Sequence, residues 1–288
     1  MNLFGLIFFI IILFVIAVIA FFFILKGPKV VGTNNIFFPS NKKHLPSKVS
    51  YEKELVCQDD YYHLHWLAVT YHINSNFTNI LGVLLLEWLF SGQISVNTNS
   101  NGNPISLNFT RPFIGEEEIE RSLYNYFLSS TVDGMVDLEK IRSWTTGNYM
   151  LMVKWFQDVL DLESLKLLKI FKLQRKDAYT SNNLIIATDD LYEEAIRVKG
   201  VKRFFKASSK NDFQAEYTMG LWKYYLIYAQ ILGVATPIFR LLKKYYPEYV
   251  QGKEYTYDNI QFVLDFSNKF ASFVYEVKRN EEKRVRDE

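Results

Sequence analysis

Residues 3 to 25, "LFGLIFFIIILFVIAVIAFFFIL", carry no charged side chain. At about 1.5 Å per helical residue such a run spans the roughly 30 Å hydrocarbon core of a bilayer. No other feature restricts the chain so much, because an uncharged helix of this length is stable only in lipid or inside a large core. The sequence therefore predicts a transmembrane helix over residues 1–25. No basic residue precedes Leu3 and no A-x-A site follows the run, so cleavage as a signal peptide is not expected. Lys26, Lys29, Lys42, Lys43 and Lys48 all follow the helix. By the positive-inside rule they place the N-terminus outside and residues 26–288 in the cytoplasm, as a single-pass protein of a bacterial plasma membrane.

Enough apolar material remains after the helix for one or two ordinary cores, since 49% of the 288 residues are hydrophobic and 22% charged. Lys and Arg total 33 against 31 Asp and Glu, a balance that does not suggest a general nucleic-acid binder. Cys57 is the only cysteine, so no intrachain disulfide is possible and no cysteine zinc site is expected from this chain.

Residues 26–56 hold three prolines between Gly27 and Ser50 and no helical period, and read as a juxtamembrane linker. Asn79 to Phe90 suits a buried helix stopped by Gly92. Ile94 and Val96, then Ile105, Leu107 and Phe109, alternate with polar residues on either side of "NTNSNGNP", the pattern of a β-hairpin. Glu116 to Leu128 repeats Ile119, Leu123 and Phe127 at helical spacing behind an acidic start. A turn, a short strand and a helix follow in "DGMVDLEKIRSW", then a helical stretch over Leu151 to Leu162. Next, "NNLIIATDD" reads as a strand leading into a helix capped by Asp190. The expected fold is mainly α with small β-hairpins (α+β). The transmembrane helix would be followed by tandem winged-helix-like units at 57–112 and 113–212, a helical part at 213–275 and a charged tail at 276–288.

A second apolar stretch, "LWKYYLIYAQILGVATPIFRLLKK", invites comparison with the first. Its charge-free run from Tyr224 to Phe239 contains Gln230, Gly233 and Pro237 and is shorter than the usual span of about 18 residues. Exporting Arg240, Lys243 and Lys244 would violate the charge rule that the first helix obeys. The expectation is a central buried helix kinked or broken at Pro237.

Three stretches, "GVLLLEWLFSGQISV", "DLYEEAIRVKGVKRFFKASS" and "LWKYYLIYAQILGVATPIFRLLKKYYPEY", together resemble the cytoplasmic portion of the YciQ-like family of predicted bacterial membrane proteins. The matching positions are Leu84 to Gly92, Gly200 to Phe205, and Trp222, Tyr225, Leu226, Tyr228, Ala229, Leu232, Gly233 and Val234. Within the last and most specific motif, Trp222, Tyr225, Tyr228, Ala229 and Gly233 are expected to be structural. Full-length relatives carry an extracellular domain ahead of the membrane helix, and this chain starts at the helix. The family has no established activity, so the resemblance implies location and architecture and no mechanism.

Cys57 lies near His63, His65 and His72, but two histidines two residues apart share a face only on a strand. The group reads as partly buried packing, and neither a metal site nor a cofactor is expected. Glu116 to Glu118 and Asp189 to Asp190 read as helix starts. No phosphate loop, nucleophile elbow, H-E-x-x-H or kinase signature is present, so no catalytic residue is assigned. The apolar helix "NILGVLLLEWLF" carries Glu87 and no basic residue, and "YMLMVKWFQDVL" sets Lys154 against Asp158, which makes nucleic acid an unlikely partner. In "SLKLLKIFKLQRK", Lys166, Lys169 and Lys172 line one helical side and Leu165, Leu168 and Phe171 another. The three lysines are candidate contacts to anionic lipid, although an ordinary packed helix with a solvated face is the preferred reading. The tail alternates charges at helical spacing, as a solvated helix end would. The sequence thus favours a non-enzymatic scaffold or protein-interaction module at the membrane, with an unnamed protein partner. The alternatives are an enzyme or enzyme subunit with its site between the cytoplasmic units and, less favoured, a tethered DNA-binding protein.

Overall fold

The computed structural model describes residues 36–37, 44–58, 60–109, 111–174, 185–186, 188–211 and 219–287. The span expected over 1–25 lies outside them. Among the described residues no helix is long and apolar enough to cross a membrane. The described part is mostly helical with one small antiparallel sheet, an α+β arrangement.

Eight helices are described: α1 (Tyr61–Thr70), α2 (Asn79–Phe90), α3 (Glu118–Ser130), α4 (Leu138–Gln174), α5 (Asp189–Asn211), α6 (Trp222–Ile231), α7 (Ala235–Tyr245) and α8 (Tyr257–Asp287). Five short strands accompany them: β1 (Ile36–Phe37), β2 (Ser95–Thr98), β3 (Pro104–Asn108), β4 (Met135–Val136) and β5 (Ile185–Ile186). β1 and β5 form a two-residue parallel ladder. The expected hairpin forms from β2 and β3 with Val96 opposite Leu107, and β3 pairs on its other side with β4 through Leu107 and Val136. The third strand therefore comes from beyond residue 113, and the stretches on either side of that position share one sheet.

Helix α2 occupies the centre. Ten of its twelve residues are buried, and its one charged side chain, Glu87, emerges to meet the Lys223 ammonium at 2.6 Å. A helix apolar on every side must be enclosed by other elements; α6 and α8 pack along it, and the aromatic corner around Trp88 closes its C-terminal end. Asn79 ties its start to α6 by donating to the Gln230 carbonyl at 2.8 Å. Gly82 faces Gln230 and Ser267, and a Cβ there would lie 2.3 Å from the Gln230 amide nitrogen and 2.9 Å from the Ser267 hydroxyl. The absence of a side chain at Gly82 sets how closely α6 and α8 approach. In the sheet corner, Trp88 meets Phe109, Phe113, Tyr124 and Phe127 edge-on, and Phe109 stacks on Phe127.

Several elements differ from their sequence-based expectation. The stretches around 138 and 151–162 join in one helix, α4, which passes through Gly147 without a break. One glycine inside a helix costs about 1 kcal/mol against alanine, which the buried face from Ile141 through Met152, Trp155, Phe156 and Val159 outweighs. Of the expected apolar side, Leu165 is 48% exposed while its neighbour Leu167 is buried; the Leu168 and Phe171 side chains lie outside the described residues. The break in the 221–244 stretch falls at Gly233 and not at Pro237. Gly233 has φ +72°, and α6 ends just before it. Pro237 lies in the first turn of α7, where its missing N–H has no partner to lose. The expected burial holds on both sides of the break: Trp222, Tyr225, Tyr228 and Ala229 before it and Ile238, Phe239 and Leu242 after it are all core residues. Helix α5 is capped by Thr188, whose hydroxyl accepts the Leu191 N–H at 3.4 Å, and not by Asp190. Helix α3 begins behind the acidic run as expected, but Glu117 at its N-cap makes no side-chain capping bond.

The linker segment nearest the core is irregular and runs along α5. Lys199 donates to the Pro46 carbonyl at 2.5 Å, and Arg197 reaches Glu52 at 3.1 Å and Glu54 at 3.4 Å. A Cβ on Gly200 would stand 2.8 Å from the Ser50 carbonyl oxygen, so glycine permits this crossing. The charged tail continues α8 as a solvated helix, with Glu281–Arg284 and Lys278–Glu282 pairs at 3.0 and 3.9 Å. Substituting Gly82→Ala must displace the buried Gln230 and Ser267 side chains and is expected to lower the unfolding free energy by roughly 1–3 kcal/mol; the exposed Gly220, where a Cβ meets nothing, provides the control in chemical denaturation.

Candidate functional site

Where α1 meets α4 and α5, a group of polar side chains is drawn together. Cys57 stands in the turn before α1 with φ +58°, in the left-handed region that non-glycine residues seldom adopt. Its carbonyl accepts the Asp60 N–H at 3.0 Å, and the Asp60 carboxylate caps α1 by accepting the His63 N–H at 2.9 Å. This capped turn fixes His63 two positions into the helix, facing α4 and α5. Its Nδ1 lies 2.8 Å from Glu163 Oε1 on α4, and its Nε2 lies 3.0 Å from Glu194 Oε2 on α5. The Cys57 thiol donates to the other Glu194 oxygen at 2.9 Å. Trp66, one turn further along α1, lies roughly parallel to the imidazole and donates its indole N–H to Ser164 at 2.9 Å.

An imidazole with a carboxylate at each nitrogen satisfies both contacts only when both nitrogens carry protons. Burial lowers the His63 pKa, but hydrogen bonds and charge from Glu163 and Glu194 overcome it and raise the group to about 9. The His63 bond in turn holds the Glu194 carboxyl below its ordinary range, against the effect of burial. Burial pushes the Cys57 thiol up, and the Glu194 carboxylate pushes it further. The thiol is therefore a hydrogen-bond donor rather than a thiolate nucleophile. The cluster grades from interior to rim, with the Glu163 side chain 4%, His63 14% and Glu194 31% exposed.

The histidine group singled out in the sequence is divided by this geometry. His63 joins Cys57. His65 faces the other side of α1, fully buried, and burial lowers its pKa to about 3. His72 lies beyond the helix in the left-handed region with an exposed side chain. Glu163 and Glu194 had no sequence signal, because they stand 100 and 131 residues away from His63 on other helices. Among the described residues Cys57, His63 and Glu194 form the one group of ligand-type side chains able to share a metal ion, their donor atoms lying within 4.8 Å of each other.

The other sequence-derived candidates are placed as follows. The Lys166 ammonium lies 3.6 Å from Glu163 Oε2 and 5.7 Å from the centre of the Tyr62 ring, and is thus engaged with the cluster. The Lys169 and Lys172 side chains lie outside the described residues. Glu120, which no sequence signal singles out, accepts the Tyr61 and Tyr62 hydroxyls at 2.6 and 2.9 Å. Tyr61 and Glu120 border a cleft of about 260 Å³ that Glu87, Trp88, Gln93 and Phe113 also line. Comparison with protein-family models, curated proteins and solved structures finds no match to this chain.

Two outcomes follow for the metal-free protein. His63→Ala leaves two carboxylates facing each other across a partly buried gap and is expected to cost roughly 3–5 kcal/mol in denaturant unfolding. In the pH dependence, the His63 value is raised from 6.5 to about 9, so its stabilising contribution is complete below about pH 6.5 and is lost as the pH rises through 9. The groups facing it are Glu163, Glu194, Cys57 and, at its own helix start, Asp60. With chelator present, the difference in thermal midpoint between wild type and His63→Gln is expected to shrink between about pH 6 and pH 10.

Proposed function

We propose that this chain is a single-pass protein of a bacterial plasma membrane whose residues 26–288 form a cytoplasmic scaffold that docks another protein. The likeness to YciQ-like membrane proteins and the uncharged N-terminal run support the location. One structural observation favours docking over the DNA-binding alternative. In a winged-helix reading, α1, α2 and the β2–β3 hairpin make one unit and α3, β4 and α4 begin the next, fused through their common sheet. The helix that would read nucleic acid in the first unit is α2, and it is enclosed on all sides. In the second, Lys154 of α4 is paired with Asp158.

The surface offered instead is apolar. Leu128, Val132 and Met135, at the end of α3 and the turn into β4, are 40%, 57% and 37% exposed. Val132 and Met135 are bonded through their backbones at 3.0 and 3.2 Å, which holds the patch in one shape. Apolar side chains held on a rigid turn suit a protein partner better than a phosphate backbone.

A photo-crosslinking residue at Val132 is expected to give a discrete adduct in native membranes that Met135→Asp removes, while the same residue at Lys253 gives none. Salt-sensitive DNA binding with no Val132 adduct would favour the nucleic-acid reading. For topology, Cys57→Ser combined with Asn101→Cys places a thiol at the exposed hairpin tip. An impermeant reagent is expected to label it only after the cells are opened; labelling in intact cells would reverse the orientation.

A further inference from the structure

Cys57 and His63 from the start of α1 and Glu194 from α5, 131 residues beyond His63, bring their Sγ, imidazole nitrogen and carboxylate oxygen within 4.8 Å of one another. The shortest separations are Sγ to Oε1 at 2.9 Å and Nε2 to Oε2 at 3.0 Å. Around a tetrahedral zinc ion, with Zn–S about 2.3 Å and Zn–N or Zn–O about 2.0–2.1 Å, neighbouring donors stand ~3.5 Å apart. The two contacts use different Glu194 oxygens, and with all three donors already within 4.8 Å small side-chain rotations bring Sγ, Nε2 and one carboxylate oxygen to those spacings.

Two further features belong to a metal centre more than to a simple ion pair. Glu163 receives the second nitrogen of His63 at 2.8 Å, the arrangement in which a carboxylate fixes the tautomer of a metal-binding histidine. On α6, Tyr228 is 2% exposed and its hydroxyl makes no hydrogen bond, while it lies close enough to feel the charges of Cys57 and Glu194. A buried hydroxyl without a partner costs free energy unless something completes it.

We propose that Cys57, His63 and Glu194 bind one divalent transition-metal ion of the zinc class, with Glu163 orienting His63 and the remaining coordination position left for a water or the Tyr228 hydroxyl. Thiolate and imidazole favour such an ion over calcium or magnesium, which take oxygen ligands. Binding replaces the Cys57 S–H and His63 Nε2–H protons, both released to solvent, while Nδ1–H stays on Glu163. No electrons are transferred. Thiolate and Glu194 carboxylate then neutralise the charge of the ion. Glu194, at the rim of the cluster, gives the ion a way in.

The full-length protein in detergent, stripped with chelator and titrated with cobalt(II), tests this directly. Cys57 is the only cysteine, so a thiolate-to-cobalt charge-transfer band can arise nowhere else. The expected result is that band at one ion per chain, removed by zinc, with close to two protons released per ion by calorimetry in buffers of different ionisation enthalpy. Glu163→Gln is expected to keep the band and weaken binding about 10–100-fold, and Cys57→Ser to lose the band. In the unaltered protein, zinc should also slow alkylation of Cys57 tenfold or more, a readout that does not depend on any variant folding. A folded wild-type protein that gives no band at saturating cobalt, a band that persists in Cys57→Ser, or alkylation unaffected by zinc would each overturn the assignment. Such a result would leave a structural ion network of the same residues.

Discussion

A helix with apolar side chains on every face can rest only in lipid or at the centre of a protein, and α2 is such a helix. Its burial governs the rest of the described structure. The long helix α8 and the short α6 lie against it and α4 packs in turn on α8, so α4 keeps a buried stripe past Gly147 and α8 keeps one only as far as Val274. Beyond Val274 there is no core left to cover, and α8 continues as a charged, solvated rod. Even the two polar features of α2 obey the constraint: Glu87 leaves the core to meet Lys223, and Asn79 turns inward to bond the end of α6. The break at Gly233 then returns the chain as α7, whose apolar face carries Ile238, Phe239, Leu241 and Leu242.

Against this apolar centre, the group around His63 is an exception that has to be held together by complementary charge. Two carboxylates near the interior repel each other, and a cation between them offsets that repulsion. His63 supplies that cation, and the capped turn at Asp60 supplies its position. A metal ion would supply the same positive charge with stricter geometry, which is why a set of residues able to act as an ion network also forms a ligand set. The scaffold and metal proposals do not depend on each other. The first concerns the outer surface near β4 and the second the junction of α1, α4 and α5.

Residues 44–58 run along α5, where Arg197 holds Glu52 and Lys199 holds the Pro46 carbonyl. Gly200 makes that crossing close.

Local signals in the sequence were sufficient wherever one segment's own chemistry decides its structure. Asn79–Phe90 read as a buried helix, the alternation of Ile94 and Val96 with Ile105, Leu107 and Phe109 read as a hairpin, and the 221–244 stretch read as interior. Each rests on apolar periodicity or turn residues within a short window. Other features could not be read this way. Helix α1 is buried on nearly all sides and shows little periodicity, the third strand of the sheet comes from beyond the hairpin's own neighbourhood, and Gly233 ended α6 where Pro237 had seemed the natural breaker. The site was legible only in its near half, Cys57 and His63. By itself the sequence determined which segments must be buried, since burial follows from composition. Only the tertiary structure decided that Glu163 and Glu194 flank His63, because a pairing over a hundred residues depends on how helices pack and leaves no pattern along the chain.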